Sequence, residues 1–320
     1  MNTIIIDGLA FALPLFIIAI GGIFSERSGV TNLALEGFLG FGAFVGAAVV
    51  TAITGGAFAG HETQMFLWAL LFSVIGGAVF ALLHALLCVK FKANQVISGV
   101  VINILAAALT TFFTSQINTA IFGKPTNKFV LGVCDKFTVP GLSKIPVLGS
   151  VFTDMYYFEP VIIVVALAAS YVLYKSRFGL RLRACGENPH AVDAAGGNVA
   201  RIRFFAVMIS GALAGLGGIC FAYVISASFS PSIYAGYGFL AIAAMIFGNW
   251  KIGPTLGACL LFGLARAAGY KLAQSLGLAS AFSDLFMIFP YILTLLLLMF
   301  FSKTNRAPRA LGEIYDKGKR

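Results

Sequence analysis

Nine runs of about 20 mostly apolar residues account for most of this 320-residue sequence. About 20 such residues suffice for a helix to cross the hydrocarbon core of a bilayer. Backbone polar groups cannot face lipid unpaired, so the runs predict helices. The sequence therefore predicts an all-α, polytopic membrane protein with about nine transmembrane helices, within a range of eight to ten. The runs are roughly 3–24, 33–53, 65–89, 95–122, 158–174, 204–226, 235–249, 254–272 and 284–302.

Composition excludes an ordinary soluble domain. The chain is 59% hydrophobic and 11% charged, whereas soluble domains carry about 25% charged residues. The first run has no basic segment before it and no clear small-residue cleavage site. We therefore interpret it as a retained helix and not as a signal peptide.

Basic residues concentrate in the segments that nine helices would place on one side of the membrane. These segments contain 16 of the 22 Lys and Arg residues, a bias that marks the cytoplasmic side. They are 25–32, 90–94, 175–203, 250–253 and 303–320. We expect contact with anionic membrane lipid, and not with nucleic acid, to explain the net charge of +10.

This topology gives one transmembrane domain over residues 1–302. An external insertion at 123–157, rich in Pro, Gly and Lys, predicts an irregular loop or short surface helices. A polar cytoplasmic segment follows at 175–203, and the basic tail at 303–320 is also cytoplasmic. We expect a multi-pass protein of the bacterial plasma (inner) membrane.

Enzyme motifs are missing from the sequence. "FGKPT" lacks the upstream Gly and the Ser/Thr of a phosphate-binding loop, and "HETQM" lacks the second His of a zinc protease. No GxSxG motif is present. The five cysteines are scattered without metal-ligand spacing. We expect no catalytic residue, no metal and no cofactor in this chain.

The segment "SERSGVTNLALEGFLGFGAF" (25–44) opens the second run. Thr31 or Asn32 can cap the helix that follows, and Glu36 then lies in its first turn, where the helix dipole favours an acid. One interpretation is a capped start with Gly-rich packing. The other is that Asn32 and Glu36 are kept for function, because polar groups are costly in lipid.

The segment "ANQVISGVVINILA" (93–106) opens the fourth run, where Asn94 can cap the helix and Asn103 lies inside it. An amide within a span usually bonds a neighbouring helix. The alternative is that it lines a path for a polar solute. On that alternative the candidate translocation residues are Asn32, Glu36 and Asn103.

Two Gly-interrupted apolar segments, one starting at Asn32 and one at Gly238, resemble each other weakly and suggest an internal repeat. Paired interrupted helices are typical of transporters built from inverted repeats. Gly also permits close helix packing in lipid. Both explanations stay open at the level of sequence.

The polar segment "GENPHAVDAAGGNVARIR" (186–203) predicts a short capped helix. Asn188 is a good N-cap, Pro189 suits the first helical position, and Gly196 or Gly197 can end the helix. A helix this short is marginal alone, so it must pack on something. It either packs on its own bundle or is offered to a soluble partner.

Four motifs, in order, resemble one family. They are "ERSGVTNLALEG", "ANQVISGVVIN", "RACGENPHAVDAAGGNVARIRFFAVMISGALAGLGG" and "GFLAIAAMIFGNWKIGPTLGACLLFG". The family is that of permease subunits of bacterial ABC importers of the branched-chain amino acid, ribose and nucleoside type. The resemblance covers about residues 10–300 and looks closest to the simple-sugar and purine nucleoside (guanosine) permeases. Gly197 stands where Ile is more usual.

The resemblance implies an ABC importer permease fold in which residues 186–202 include a cytoplasmic coupling helix seated on an ATPase. The candidate coupling residues are Gly186, Glu187, Asn188, Pro189, Asp193, Ala194, Ala195 and Gly196. ATP and Mg would then be bound by the separate ABC ATPase subunit.

The resemblance also implies two further partners. One is a second homologous permease forming a heterodimer, and the other is an extracytoplasmic substrate-binding lipoprotein facing 123–157 and 227–237. The chain would form the path for nucleosides or simple sugars. The alternative is a stand-alone secondary transporter or channel for a small polar solute, which would need ionisable groups deep in the bundle.

Overall fold

The computed structural model describes residues 2–55, 62–145, 148–232, 234, 236–277, 292 and 306–317. Within these residues the chain forms ten α-helices, and a π-helical turn (Leu86–Lys90) extends the third of them. The helices are α1 (Asn2–Arg27), α2 (Leu35–Thr54), α3 (Glu62–Ala85), α4 (Gln95–Phe122), α5 (Phe158–Lys175), α6 (Arg177–Glu187), α7 (Pro189–Ala194), α8 (Val199–Ser226), α9 (Tyr237–Phe247) and α10 (Ile252–Ser275).

Seven of these helices are long and apolar enough to cross a membrane: α1, α2, α3 with its π-helical turn, α4, α5, α8 and α10. They coincide with seven of the nine predicted runs, which confirms the all-α polytopic class. The predicted run at 235–249 is the shorter helix α9. The run at 284–302 lies outside the described residues, so the count of nine stays a prediction.

Helix α9 is too short to cross a membrane. Its 11 residues span about 16 Å, roughly half of the 30 Å hydrocarbon core. The chain that follows it reaches Trp250, whose indole Nε1 donates to Glu26 Oε2 over 2.6 Å, one residue before α1 ends. The C-terminal end of α9 therefore lies level with the C-terminal end of α1. Because α9 spans only about half of the hydrocarbon core, its N-terminus lies at about mid-depth in the bundle.

Glycines allow α2, α3 and α8 to pack closely at the centre of the bundle. A Cβ added at Gly77 would meet the Gly211 carbonyl oxygen, and one added at Gly215 would meet that of Ser73. Lipid is as apolar as the helices, so helices associate in it through close contact between small residues. At these positions the glycines serve packing.

The insertion at 123–157 contains two 3-10 helices (Leu142–Lys144 and Leu148–Phe152) and short strands. Strand β1 (Phe129–Val130) pairs antiparallel with β4 (Ser228–Phe229), which follows α8, and β2 (Lys136–Phe137) pairs with β3 (Met155–Tyr156). The strands were not predicted, because two residues are too few to show an alternating pattern. The β1–β4 pair attaches the insertion to the segment between α8 and α9, whereas β2 and β3 pair within the insertion.

The basic segments meet at one end of the bundle, as the charge pattern predicted. Arg27 Nε donates to the Trp250 carbonyl over 3.0 Å. Arg203 Nε donates to the Ser28 carbonyl over 3.1 Å, and Lys92 lies 2.9 Å from Asp316. We call this surface the basic end; it comprises 25–32, 90–94, 175–203, 250–253 and 306–317.

Candidate functional site

The polar segment at the basic end forms two helices. Helix α7 starts at Pro189, with Asn188 as its N-cap: the side-chain oxygen of Asn188 accepts from the Ala191 amide over 3.0 Å. Beyond its end, Gly196 adopts φ +79°, a left-handed conformation that favours glycine. The structure thus confirms Asn188 as the N-cap, Pro189 as the first helical residue and Gly196 as the glycine that follows the end of the helix.

Helix α6, which precedes α7, was not predicted. Ser176 caps it by accepting from the Gly179 amide over 2.9 Å. The signal was present in "SRFGLRLRACGE", where a cap residue precedes apolar residues spaced for one helix face. The basic side chains of Arg177, Arg181 and Arg183 alternate with these apolar residues and obscure the pattern.

Helix α7 has one face against its own bundle and one face open. Pro189 and Val192 are buried. The exposed residues are Glu187, Asn188, His190, Ala191, Ala194, Ala195 and Gly196. Beside the open face, α6 and α7 border an apolar recess of about 390 Å³, lined in part by Leu180, Ala184, Ala191, Val192 and Ala195. Packing on the bundle thus leaves a surface free for a partner.

The remaining candidate coupling residues anchor the segment. A Cβ at Gly186 would meet the Arg27 carbonyl oxygen, so only glycine fits there. Glu187 lies 3.9 Å from the Arg27 guanidinium. Asp193 lies 3.7 Å from Lys317. These contacts place the end of α6 and the start of α7 against the basic end and leave Ala194, Ala195 and Gly196 exposed.

Within the described part of the chain, no group of three or more metal-ligating side chains occurs. Cys185 in α6 is fully buried. Burial raises the pKa of its thiol to about 11, so the thiol is neutral at physiological pH. A neutral thiol is neither a nucleophile nor a metal ligand.

Asn188→Ala is expected to weaken binding of a partner at α7 about fivefold, because loss of an N-cap costs about 1 kcal/mol. Asn188→Asp keeps the acceptor oxygen and should bind as the unmodified chain does. Affinity between the purified chain and its soluble partner, measured by microscale thermophoresis, checks this. Equal weakening by both substitutions would contradict the capping role.

The predicted capping of α2 by Thr31 or Asn32 is wrong. Helix α2 begins at Leu35, and no side chain caps it from the preceding residue Ala34. The fully buried Asn32 turns toward α8 instead, where its Nδ2 donates to Ser210 Oγ over 2.7 Å. The loop before α2 continues inside the bundle. The Asn32 side chain therefore bonds a residue of another helix and does not bond the amides at the start of α2.

Asn103 caps α2 from the neighbouring helix α4. Its Oδ1 accepts from the Gly37 amide, and its Nδ2 donates to the Leu33 carbonyl, both over 2.8 Å. Asn103 lies eight residues after Gln95, the first residue of α4, a rise of about 12 Å. Helix α2 therefore begins well inside the bundle and not at its surface.

Glu36 caps α9. Its two carboxylate oxygens accept from the amides of Gly236 and Gly238 over 2.6 and 2.5 Å, on either side of the first residue of α9. An acid at a helix N-terminus is favourable. A Cβ at Gly238 would lie 2.5 Å from the Glu36 Cα, so the two helix starts touch.

The three candidate translocation residues therefore lie around one place, where two helices begin at depth. We call it the helix-start site; it comprises Asn32, Glu36, Asn103, Gly236 and Gly238. The two glycines were missed as partners of Glu36. The signal was the "AGYGF" stretch (235–239) before an apolar run too short for a span.

Comparison with known proteins identifies relatives along the whole chain. Residues 4–298 match the family described as branched-chain amino acid transport system / permease component. The chain is 40% identical to the guanosine ABC transporter permease protein NupQ of Bacillus subtilis, over 100% of this chain and 98% of the relative. No solved structure matches.

Two further relatives carry transport names. The nucleoside ABC transporter permease protein NupC of Lactococcus lactis is 40% identical, over 100% of this chain and 98% of the relative. The putative glucose ABC transporter permease protein TsgC13 of Haloferax volcanii is 34% identical, over 84% of this chain and 77% of the relative.

Proposed function

The chain belongs to the family of branched-chain amino acid transport system permease components, and we propose that it is the membrane-spanning subunit of an ATP-driven importer of nucleosides. The observation that carries the proposal is the open face of α7 at Ala194, Ala195 and Gly196. It offers a docking surface on a chain whose sequence has no nucleotide-binding loop of its own. Simple sugars are the second substrate class.

The proposed partner at α7 is an ABC ATPase, which would bind ATP and Mg. The buried residues Pro189 and Val192 fasten α7 to the bundle. The apolar recess beside α7 suits an apolar side chain of the ATPase. Because α7 is packed on the bundle, a movement of the ATPase bound at its open face would be transmitted to the membrane helices.

The proposed translocation path passes the helix-start site. Helix N-termini at membrane depth mark substrate sites in transporters with interrupted helices. A nucleoside is polar and uncharged, so its path needs hydrogen-bond donors and acceptors. Asn103 and Glu36 hold two such N-termini in contact, and movement of either helix would expose backbone donors.

The proposed orientation puts the basic end in the cytoplasm of a bacterial cell, together with the C-terminus, in accord with its excess of Lys and Arg. The insertion at 123–157 would then face an extracytoplasmic substrate-binding lipoprotein. A second, homologous permease would complete the path as a heterodimer, in line with the similarity to nucleoside permeases. Membrane lipid would surround the pair.

A stand-alone secondary transporter is the second candidate, because Glu36 is an ionisable group inside the bundle, a feature that ion-driven carriers require. Against it, both carboxylate oxygens of Glu36 are already occupied by backbone amides. The carboxylate therefore serves as a helix cap.

Reconstitution separates the two candidates. We expect proteoliposomes containing this chain, the second permease, the ATPase and the binding protein to take up radiolabelled guanosine only with ATP. Omitting the ATPase, or replacing ATP with ADP, should reduce uptake to background. Uptake by the chain alone, driven by a proton or sodium gradient, would contradict the importer proposal.

A further inference from the structure

The C-terminal segment 306–317 has neither helix nor strand, yet it is fastened to several elements of the basic end. Pro308 and Ala310 are buried in the protein, and the segment runs across the end of the bundle beside α7. The segment is therefore part of the folded basic end and contacts the helices around α7. Contact of the basic tail with anionic lipid stays a prediction.

Two backbone hydrogen bonds connect this segment to different parts of the bundle. The Ala310 amide donates to the Gly186 carbonyl over 2.8 Å, and the Gly312 amide donates to the Gly29 carbonyl over 3.1 Å. Gly186 lies in the last turn of α6, and Gly29 lies in the loop between α1 and α2. Two residues of the segment, Ala310 and Gly312, thus connect the helix before α7 to the loop before α2.

Arg203, in the first turn or so of α8, reinforces the same connection. Its side chain is buried, with the residue 3% exposed. Nε donates to the Ser28 carbonyl over 3.1 Å, and Nη1 donates to the Glu313 carbonyl over 2.8 Å. A buried guanidinium is costly unless hydrogen bonds compensate it. The loop and the C-terminal segment each supply an acceptor, so Arg203 favours the docked arrangement of both.

The segment also contacts α7 directly. Tyr315 lies with its ring centroid 5.3 Å from that of His190, and Lys317 pairs with Asp193 over 3.7 Å. Lys92, after the π-helical turn, pairs with Asp316 over 2.9 Å. Surface ion pairs are individually weak. The backbone hydrogen bonds and Arg203 therefore contribute most of the binding of the segment, and the ion pairs add to its orientation.

The loop that carries Ser28 and Gly29 leads within a few residues to Asn32 and Glu36 at the helix-start site. We propose that segment 306–317, together with Arg203, is a positioning element that makes α7 and the α1–α2 loop move as one unit. Displacement of α7 by the ATPase then shifts the start of α2. This inference rests on the proposed function and adds to it the connection between docking and translocation.

Truncation tests the proposal in the reconstituted importer. A chain ending at residue 305 is compared with one ending at residue 317, which keeps every described contact of the segment. We expect the shorter chain to retain ATPase association and ATP hydrolysis within about twofold. Its guanosine uptake per ATP hydrolysed should fall at least about tenfold.

A point variant guards against a folding defect in the truncated chain. Gly312 has φ +81°, so Gly312→Val strains the backbone at the bond to Gly29 and leaves the rest of the segment in place. We expect uptake per ATP to fall about threefold or more in this variant. If the truncated chain is not monodisperse in detergent, uptake per ATP in the Gly312→Val variant alone tests the proposal.

Three outcomes would overturn the proposal. Unchanged uptake per ATP in both variants would show that the segment positions nothing. Loss of ATPase association would make the segment part of the docking surface. A defect restored by adding anionic lipid would make it a membrane anchor. Absence of ATP-dependent uptake by the chain ending at residue 317 would instead refute the proposed function itself.

Discussion

Ala195→Arg is expected to abolish association with the ATPase while the membrane bundle stays folded. Ala195 is exposed on the open face of α7, next to the apolar recess between α6 and α7. A large charged side chain there would block the docking surface and bury an unpaired charge. Changes at the centre of an interface cost about 2 kcal/mol or more, so we expect at least about 30-fold weaker binding.

Co-purification of the tagged chain with the ATPase, followed by titration, measures this effect. Ala195→Ser is the matched control, because it occupies the same exposed position with little added volume, and it should bind normally. Position 196 serves the test less well, since Gly196 has φ +79° and any side chain there strains the end of the helix. An Ala195→Arg complex with full ATPase coupling would refute α7 as the docking helix.

Glu36→Gln is expected to lower guanosine uptake about 10- to 100-fold without loss of ATPase association. Both oxygens of Glu36 accept backbone amides at the start of α9. The glutamine keeps one acceptor and turns an NH₂ group toward the other amide, so one donor is left unpaired. Losing a hydrogen bond to a charged group costs about 1.5–3 kcal/mol, which would loosen the contact between α2 and α9.

Glu159→Gln is the matched control for this change. Glu159 is buried in the first turn of α5, and its Oε1 accepts from the Tyr156 amide over 3.2 Å. A glutamine can keep that bond, so uptake should stay within about twofold. Initial rates in proteoliposomes provide the measurement. Normal uptake by the Glu36→Gln variant would remove the helix-start site from the proposed path.

Residues close together in the chain were predicted well. The cap of α7 at Asn188 and the cap of α4 at Asn94, whose Oδ1 accepts from the Val96 and Ile97 amides, follow from spacing alone. These three bonds join residues two or three apart, so nothing elsewhere in the fold has to be known. The same holds for the apolar runs, because each backbone bond of a helix closes within its own segment.

Capping across the fold was not predicted. Asn32 occupied a plausible capping position but bonds Ser210 on α8, while Asn103 on α4 caps α2. Which of these amides reaches the helix start depends on how α2, α4 and α8 pack. No periodicity in the sequence contains that information.

The sequence by itself determined that this protein is a bundle of apolar helices with a short capped helix at its basic end. Hydropathy and local hydrogen bonding suffice for both conclusions. Only the tertiary structure decided that α2 and α9 begin in contact at depth, that Glu36 joins them, and that residues 306–317 dock beside α7. These features depend on hydrogen bonds between residues that are far apart in the chain, such as Gly236 to Glu36 and Ala310 to Gly186. Such bonds form only where packing brings the two groups together.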